Sequence, residues 1–239
     1  MVSKIDKVYT HFNEVDKYLH QGFDIKVRGE IVNELMGAPC DIDIIDFGCG
    51  DGSISLQFQS KNNKITLVDI SENMLNRARL NMDPKYSDSI EFVLTDADSF
   101  FCNKQYDLVL GIGLLAHVDS ITKTIESFVN MLKPEGYCLI QITDDSQLFS
   151  KFLKIYNSLL DRITGQFGYI RNPLSFSKIV SIAENCGLKY VDARQYSLTL
   201  PGFTSLLPDG IMYKYHSFIR NNSFLSSFGT DFIIKFQKK

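Results

Sequence analysis

The sequence predicts an α/β domain built on a mostly parallel β-sheet with helices on both faces. Three observations carry that reading. From Ile42 onward, short β-branched apolar runs alternate with segments of helical periodicity. The runs lack clean polar–apolar alternation, as strands buried on both faces do. The first run ends in a cluster of glycines and the next two end in aspartates, which places polar chemistry at one rim of the sheet.

Taken in order, Ile42–Phe47 is brief, β-branched and closed by glycines, a buried strand. The turn that follows opens a helix carrying Ile54, Leu56 and Phe58. Lys64–Asp69 and Ile90–Asp96 read as the second and third strands, Tyr106–Gly111 as the fourth and Tyr137–Thr143 as the fifth. Between them, Ser71 is placed to N-cap a helix with Met74, Leu75 and Ala78 on one face. A second helix runs from about Ser120 to Leu132 and is stopped by Lys133-Pro134-Glu135-Gly136. A third spans about Ser175–Cys186, with Gly187 as its cap, before strands at Leu188–Leu198 and Asp231–Phe236. Strand–helix alternation implies right-handed βαβ crossovers. The whole, residues 1–239, reads as one Rossmann-like domain without repeats or a low-complexity linker. Residues 1–40 read as an aromatic-rich N-terminal helical lid, 41–143 as the cofactor-binding core, and 144–172 and 199–229 as substrate-covering insertions after strands 5 and 6, since long insertions at connections usually cover a site.

Composition narrows the function. The 239 residues carry a net charge of −3, with 44% hydrophobic residues, so the chain can bury a sizeable core and has no global basic field for nucleic acid or anionic lipid. Five scattered cysteines, none in a C-x-x-C pair, disfavour a disulfide framework or a zinc site and suit a reduced cytoplasmic protein; no metal is expected. The N-terminus lacks the apolar core of a signal peptide, and no run reaches transmembrane length.

The informative stretch is Asp46-Phe47-Gly48-Cys49-Gly50-Asp51-Gly52-Ser53. Glycines between a strand and a helix let the backbone turn sharply and approach a ligand, and Cys49 fits there by its small size. A dinucleotide fingerprint would want Gly or Ala at position 53, where Ser53 stands, so a dehydrogenase is the weaker reading. Asp69 ends the second strand where a carboxylate accepts from both hydroxyls of a ribose; its plainer role is an anion before the helix at Ser71. Asp96 could accept from an exocyclic adenine amine or lie in solvent, and Asp46 could meet a cationic amino group. Three carboxylates at strand ends suit a ligand with an ammonium, a ribose and an adenine.

On these residues the chain resembles the class I S-adenosylmethionine-dependent methyltransferases. Asp46–Gly52 is similar to the family's first motif, Leu67-Val68-Asp69 to its second acidic position, and Thr95-Asp96-Ala97 to its adenine-binding motif. Leu110–Val118 resembles the segment after the fourth strand, and Met131–Tyr137 the turn before the fifth. The resemblance implies seven strands in the order 3-2-1-4-5-7-6 with the seventh antiparallel. It implies S-adenosylmethionine as cofactor and S-adenosylhomocysteine as product. Gly48, Cys49 and Gly50 would then lie against the methionine part, Asp69 on the ribose, Ile70 and Met74 beside the adenine, and Ala97 and Gly111 at the same pocket. Tyr9-Thr10-His11-Phe12 is similar to a stretch that closes over the cofactor in relatives, which makes Tyr9 a candidate for the methionine carboxylate and His11 for the acceptor.

His117, just past the fourth strand, is the candidate general base, since a near-neutral pKa suits proton removal from a hydroxyl or amine; its plainer role is a structural histidine. Leu148, Phe149, Phe152, Tyr156, Leu159, Leu160 and Ile163 have helical spacing and one apolar face, either a packed helix or a lid whose Phe149, Phe152 and Tyr156 shape an acceptor pocket. The expected activity is methyl transfer to an O or N atom of a small, partly apolar molecule, with secondary metabolism as one setting. The expected state is monomer or homodimer, without nucleic acid or membrane as partner. A non-catalytic cofactor-binding subunit and a protein methyltransferase are the alternatives.

Overall fold

The computed structural model describes residues 22–164, 172–198 and 206–239. Tyr9 and His11, with the rest of 1–21, lie outside the described residues, as do 165–171 and 199–205.

Seven strands form one sheet: β1 (Asp43–Phe47), β2 (Lys64–Asp69), β3 (Ile90–Leu94), β4 (Tyr106–Gly111), β5 (Leu132–Thr143), β6 (Leu188–Tyr196) and β7 (Asp231–Lys238). Their order is β3-β2-β1-β4-β5-β7-β6. The first five are parallel, and β7 runs antiparallel between β5 and β6, as the resemblance implied. Ile44, Ile45, Leu67, Val68, Leu108 and Val109 are fully buried, because apolar layers cover both faces.

Helices α1 (Gly22–Met36), α2 (Glu72–Asn81), α3 (Ile121–Met131), α4 (Leu148–Thr164), α5 (Phe176–Asn185), α6 (Asp209–Asn221) and the short α7 (Ser223–Ser226) fill the connections. Val27, Ile31, Val32 and Leu35 of α1 pack with Leu108, Leu139, Tyr196 and Ile233 on one face. Ile125 and Phe128 of α3 and Ile179 of α5 cover Val109, Ile140 and Ile234 on the other. Ser71 and Ser120 cap α2 and α3, their hydroxyls accepting from the N–H of Met74 and Lys123.

Two expectations need correction. The helix expected after the glycine turn is a single 3₁₀ turn, Ser55–Phe58. Polar side chains close that loop early: Asn63 donates to the carbonyls of Phe58 (2.9 Å) and Pro39 (3.0 Å), and the Ser60 hydroxyl accepts from the Asn63 N–H. The fifth strand starts at Leu132 rather than Tyr137, because Leu132 pairs with Tyr106 as soon as α3 ends. The expected stop is present inside it, with Glu135 at φ 62° and a register shift against β4 between Tyr106 and Leu108. Smaller differences trim β3 at Leu94 and β6 at Tyr196 and extend β7 to Lys238. Asp96 therefore sits in the loop past β3.

Candidate active site

The C-terminal ends of β1 to β5 lie side by side, which gathers the sequence-predicted residues along one rim. The turn after β1 begins where the N–H groups of Gly48 and Cys49 both donate to the Val68 carbonyl of β2 (2.8 and 3.1 Å). Gly50 has φ 55°, and a Cβ there would meet nothing within 4 Å, so its backbone borders open space. Gly52, at φ 74°, is glycine for the opposite reason. A Cβ would lie 2.8 Å from Leu56 Cδ1 and 3.2 Å from Ala78 Cβ, where the turn is pressed onto α2.

Asp69 ties this turn to α2. One carboxylate oxygen accepts from Gly50 N–H (2.9 Å) and the other from Ser71 N–H (2.8 Å). The anion-before-a-helix role and a ligand role coexist, because a carboxylate with two N–H donors keeps lone pairs for a ribose. Burial pushes its pKa up and those N–H donors oppose the rise. Asp46 is buried at the base of the turn, and burial, with the Asp69 charge adding to it, raises its pKa to about 7. A buried acid of that kind has room to gain from a cation placed beside it. Cys49 is buried and its thiol is pushed well up by burial and by Asp46 and Asp69, so it is a small packing residue rather than a nucleophile.

Asp96 is half-buried past β3, its carboxylate raised by burial and held loosely by the Ser99 hydroxyl at 3.4 Å. Ile70 is half-exposed between Asp69 and α2, whereas Met74 is buried under the same end. Ala97 packs against the core face that includes Phe128. Gly111 ends β4 where a Cβ would come within 2.9 Å of the Phe128 ring, so packing alone accounts for its glycine.

His117 follows β4 in a turn closed by its own N–H to the Leu114 carbonyl (2.9 Å), and it is half-buried. The sequence reading missed what fixes this turn. The Asn172 side chain donates to the carbonyls of Leu115 (3.1 Å) and Val118 (2.8 Å), and its N–H donates to Ala116 (2.9 Å). Only proximity in three dimensions could have shown that, since 54 residues separate Asn172 from Val118. In α4, Phe149 and Phe152 stack with centroids 6.2 Å apart, and Phe152 and Tyr156 are exposed. No group of three His, Cys, Asp or Glu placed to hold a metal occurs among the described residues.

Residues 41–167 match the family model described as "Methyltransferase domain", more than half of the chain. The chain belongs to that family. Its fold is that of the class I S-adenosylmethionine-dependent methyltransferases. A demethylmenaquinone methyltransferase of Leptospira interrogans is 34% identical over 144 residues, 57% of this chain and 56% of the relative. The chain therefore matches about half the length of that relative. A malonyl-[acyl-carrier protein] O-methyltransferase of Priestia megaterium is 25% identical over 81% of this chain and 68% of its own. Among solved structures, a possible histamine N-methyltransferase of Thermotoga maritima superposes with a TM-score of 0.65 at 16% identity, covering 95% of this chain and 96% of that one. The magnesium protoporphyrin IX methyltransferase of Synechocystis, with S-adenosylhomocysteine bound, gives 0.63 at 15% identity, covering 90% and 82%. No helix among the described residues is long and apolar enough to cross a membrane.

Proposed function

We propose that this protein is an S-adenosylmethionine-dependent methyltransferase acting on an O or N atom of a small, partly apolar molecule. The observation that carries the reading is the open flank of Gly50 between two buried carboxylates, Asp46 and Asp69. The residues fit the cofactor: Asp46 would face its ammonium, Asp69 its ribose hydroxyls and Asp96 its adenine amine, with Gly48, Cys49 and Gly50 along the methionine part and Ile70 and Met74 by the ring. When bound, S-adenosylmethionine supplies a methyl group made electrophilic by its sulfonium. The chain's own work is positional, holding the acceptor in line at near-attack distance, an effect of up to about 7–11 kcal/mol in ideal cases. His117 would take the acceptor's proton, and Asn172 would fix the turn that presents it. Phe149, Phe152 and Tyr156, with His11, would close over the acceptor, and Tyr9 would meet the methionine carboxylate.

We infer a monomer or homodimer in the cytoplasm with no nucleic-acid partner, a reading that the net charge of −3 supports. The decisive experiment is calorimetric titration with S-adenosylhomocysteine, expected to give saturable one-to-one heat. No heat would end the donor reading. In the His117→Ala variant the same titration should be unchanged while methyl transfer falls by about 10²–10⁴-fold; unchanged turnover would reduce His117 to a wall residue.

A further inference from the structure

The rim continues past β4 into a polar cluster that the reading above leaves unused. Thr143 of β5 pairs with Asp231 of β7, and Asp231 pairs with Tyr196 of β6, so three adjacent strands end in a row of polar side chains. Gln141 lies two residues before Thr143 and so faces the same side of the sheet. Three of the four are buried, Gln141 at 4% exposed, Asp231 at 8% and Tyr196 at 0%, and Thr143 is half-buried. Over it stand Asp24 and Arg28 of α1, one helical turn apart and joined as an ion pair. His216 of α6 is buried against Phe23, its imidazole driven toward the neutral form by burial although Asp24 pulls the other way.

This cluster is adjacent to the donor turn through one shared wall, Gly113-Leu114. A Cβ on Gly48 would lie 3.2 Å from Leu114 Cδ1, and one on Gly113 would lie 3.5 Å from Gln141 Oε1 and 3.7 Å from Arg28 Nη1. The Tyr196 hydroxyl is buried beside Arg28, whose charge and hydrogen bond oppose the rise in pKa that burial causes. Interior polar groups are costly unless they serve a partner. Asp231 accepts from the Thr143 hydroxyl at 2.5 Å and feels Asp24 and Arg28 as its neighbouring charges. Asp24 and Asp231 therefore share one guanidinium, that of Arg28. The balance is negative and favours hydrogen donors over anions.

We propose that the row Gln141–Thr143–Asp231–Tyr196 is the polar floor of the acceptor subsite. It selects a neutral hydroxyl- or amine-bearing acceptor against a carboxylate, with the acceptor's O–H or N–H donating to Asp231. The assignment rests on the methyl-transfer reading and narrows its substrate class.

The test titrates protein saturated with S-adenosylhomocysteine at pH 7.5 with two probes of equal size, 1-naphthol and 1-naphthoate. Naphthol is expected to bind at least about tenfold tighter, the scale of one unbalanced charge near a protein surface. In Asp231→Asn the gap should close as naphthoate gains, and in Tyr196→Phe naphthol should weaken severalfold. The affinity for S-adenosylhomocysteine should hold in both. Equal or tighter naphthoate binding, a gap that survives Asp231→Asn, or binding of neither probe overturns the proposal. Should Asp231→Asn not fold, Asp24→Asn on the half-exposed side of α1 must narrow the gap in the same direction, and an unmoved gap there overturns it equally. A wild-type protein that fails to bind S-adenosylhomocysteine strikes the donor reading instead.

Discussion

The two halves of the rim hold buried negative charge by different means. Over β1 and β2, Asp69 is fixed by backbone N–H groups of Gly50 and Ser71, so its position follows from the path of the chain. Over β5 to β7, Asp231 is fixed by side chains, with Thr143 as donor and Arg28 and Asp24 as neighbours. A backbone-held carboxylate survives most changes of side chain, whereas a side-chain-held one is retuned by single substitutions. The first arrangement suits a ligand common to many enzymes and the second suits a ligand particular to one.

The largest effect that sharpens this contrast is a matched pair of glycine substitutions in the β1–β2 half. Gly52→Ala adds left-handed strain and a clash at 2.8 Å with Leu56. The expected loss is about 2–4 kcal/mol of stability, read as a fall in urea midpoint, with overpacking and strain as its two sources. Gly50→Ala meets only the φ cost, about 1 kcal/mol, yet fills the open flank. Its expected signature is a near-normal midpoint with weakened S-adenosylhomocysteine binding. Equal destabilisation by the two would mean the turn is packed on both sides and offers no crevice.

Next in size is Asp69→Ala. The cofactor's affinity should fall by about 1.5–3 kcal/mol, the scale of a hydrogen bond to a charged group, in calorimetry against S-adenosylhomocysteine. An unaltered dissociation constant would confine Asp69 to holding Gly50 and Ser71.

What was legible in the sequence divides along the same line. Asp46, the glycines and Asp69 stand close together in sequence or at strand ends, and Asp96 follows two residues past one, so periodicity and turn chemistry locate them. Strand order beyond the parallel core came from resemblance, and the structure has that order. The 3₁₀ turn at Ser55–Phe58 escaped because the apolar spacing of Ile54, Leu56 and Phe58 signals burial but not which helix delivers it. Arg28, Tyr196 and Asp231 meet only because β6, β7 and α1 converge, and no local pattern marks them. Asn172 escaped for the same reason.

A pH experiment compares the halves through their buried acids. Asp46 sits at about 7 and Asp231 at about 6 in the folded chain, both raised mainly by burial from an ordinary 3.8. Between about pH 4 and 7 the folded chain holds protons that the unfolded chain has released, so stability falls as pH rises and levels off above 7. The urea midpoint should therefore be lower at pH 8 than at pH 5. Asp46→Asn should flatten most of the slope up to pH 7, and Asp231→Asn only the part below about 6. Saturating S-adenosylmethionine should also flatten the Asp46 share, since its ammonium favours the charged acid; a slope unmoved by the ligand would separate Asp46 from the amino group.

The smallest effect on stability is expected on α4, where Phe152 is 55% exposed with its ring stacked only on Phe149 among the described aromatics. Phe152→Ser should change the stability read from urea unfolding by no more than about 0.5 kcal/mol, as surface substitutions do. If α4 walls the acceptor, the same variant lowers affinity for 1-naphthol while S-adenosylhomocysteine binding stays constant, which places the apolar wall and the Asp231 row in one pocket. If naphthol binding does not move, α4 faces away from the acceptor. The selectivity of the site then belongs to the β5–β7 rim alone.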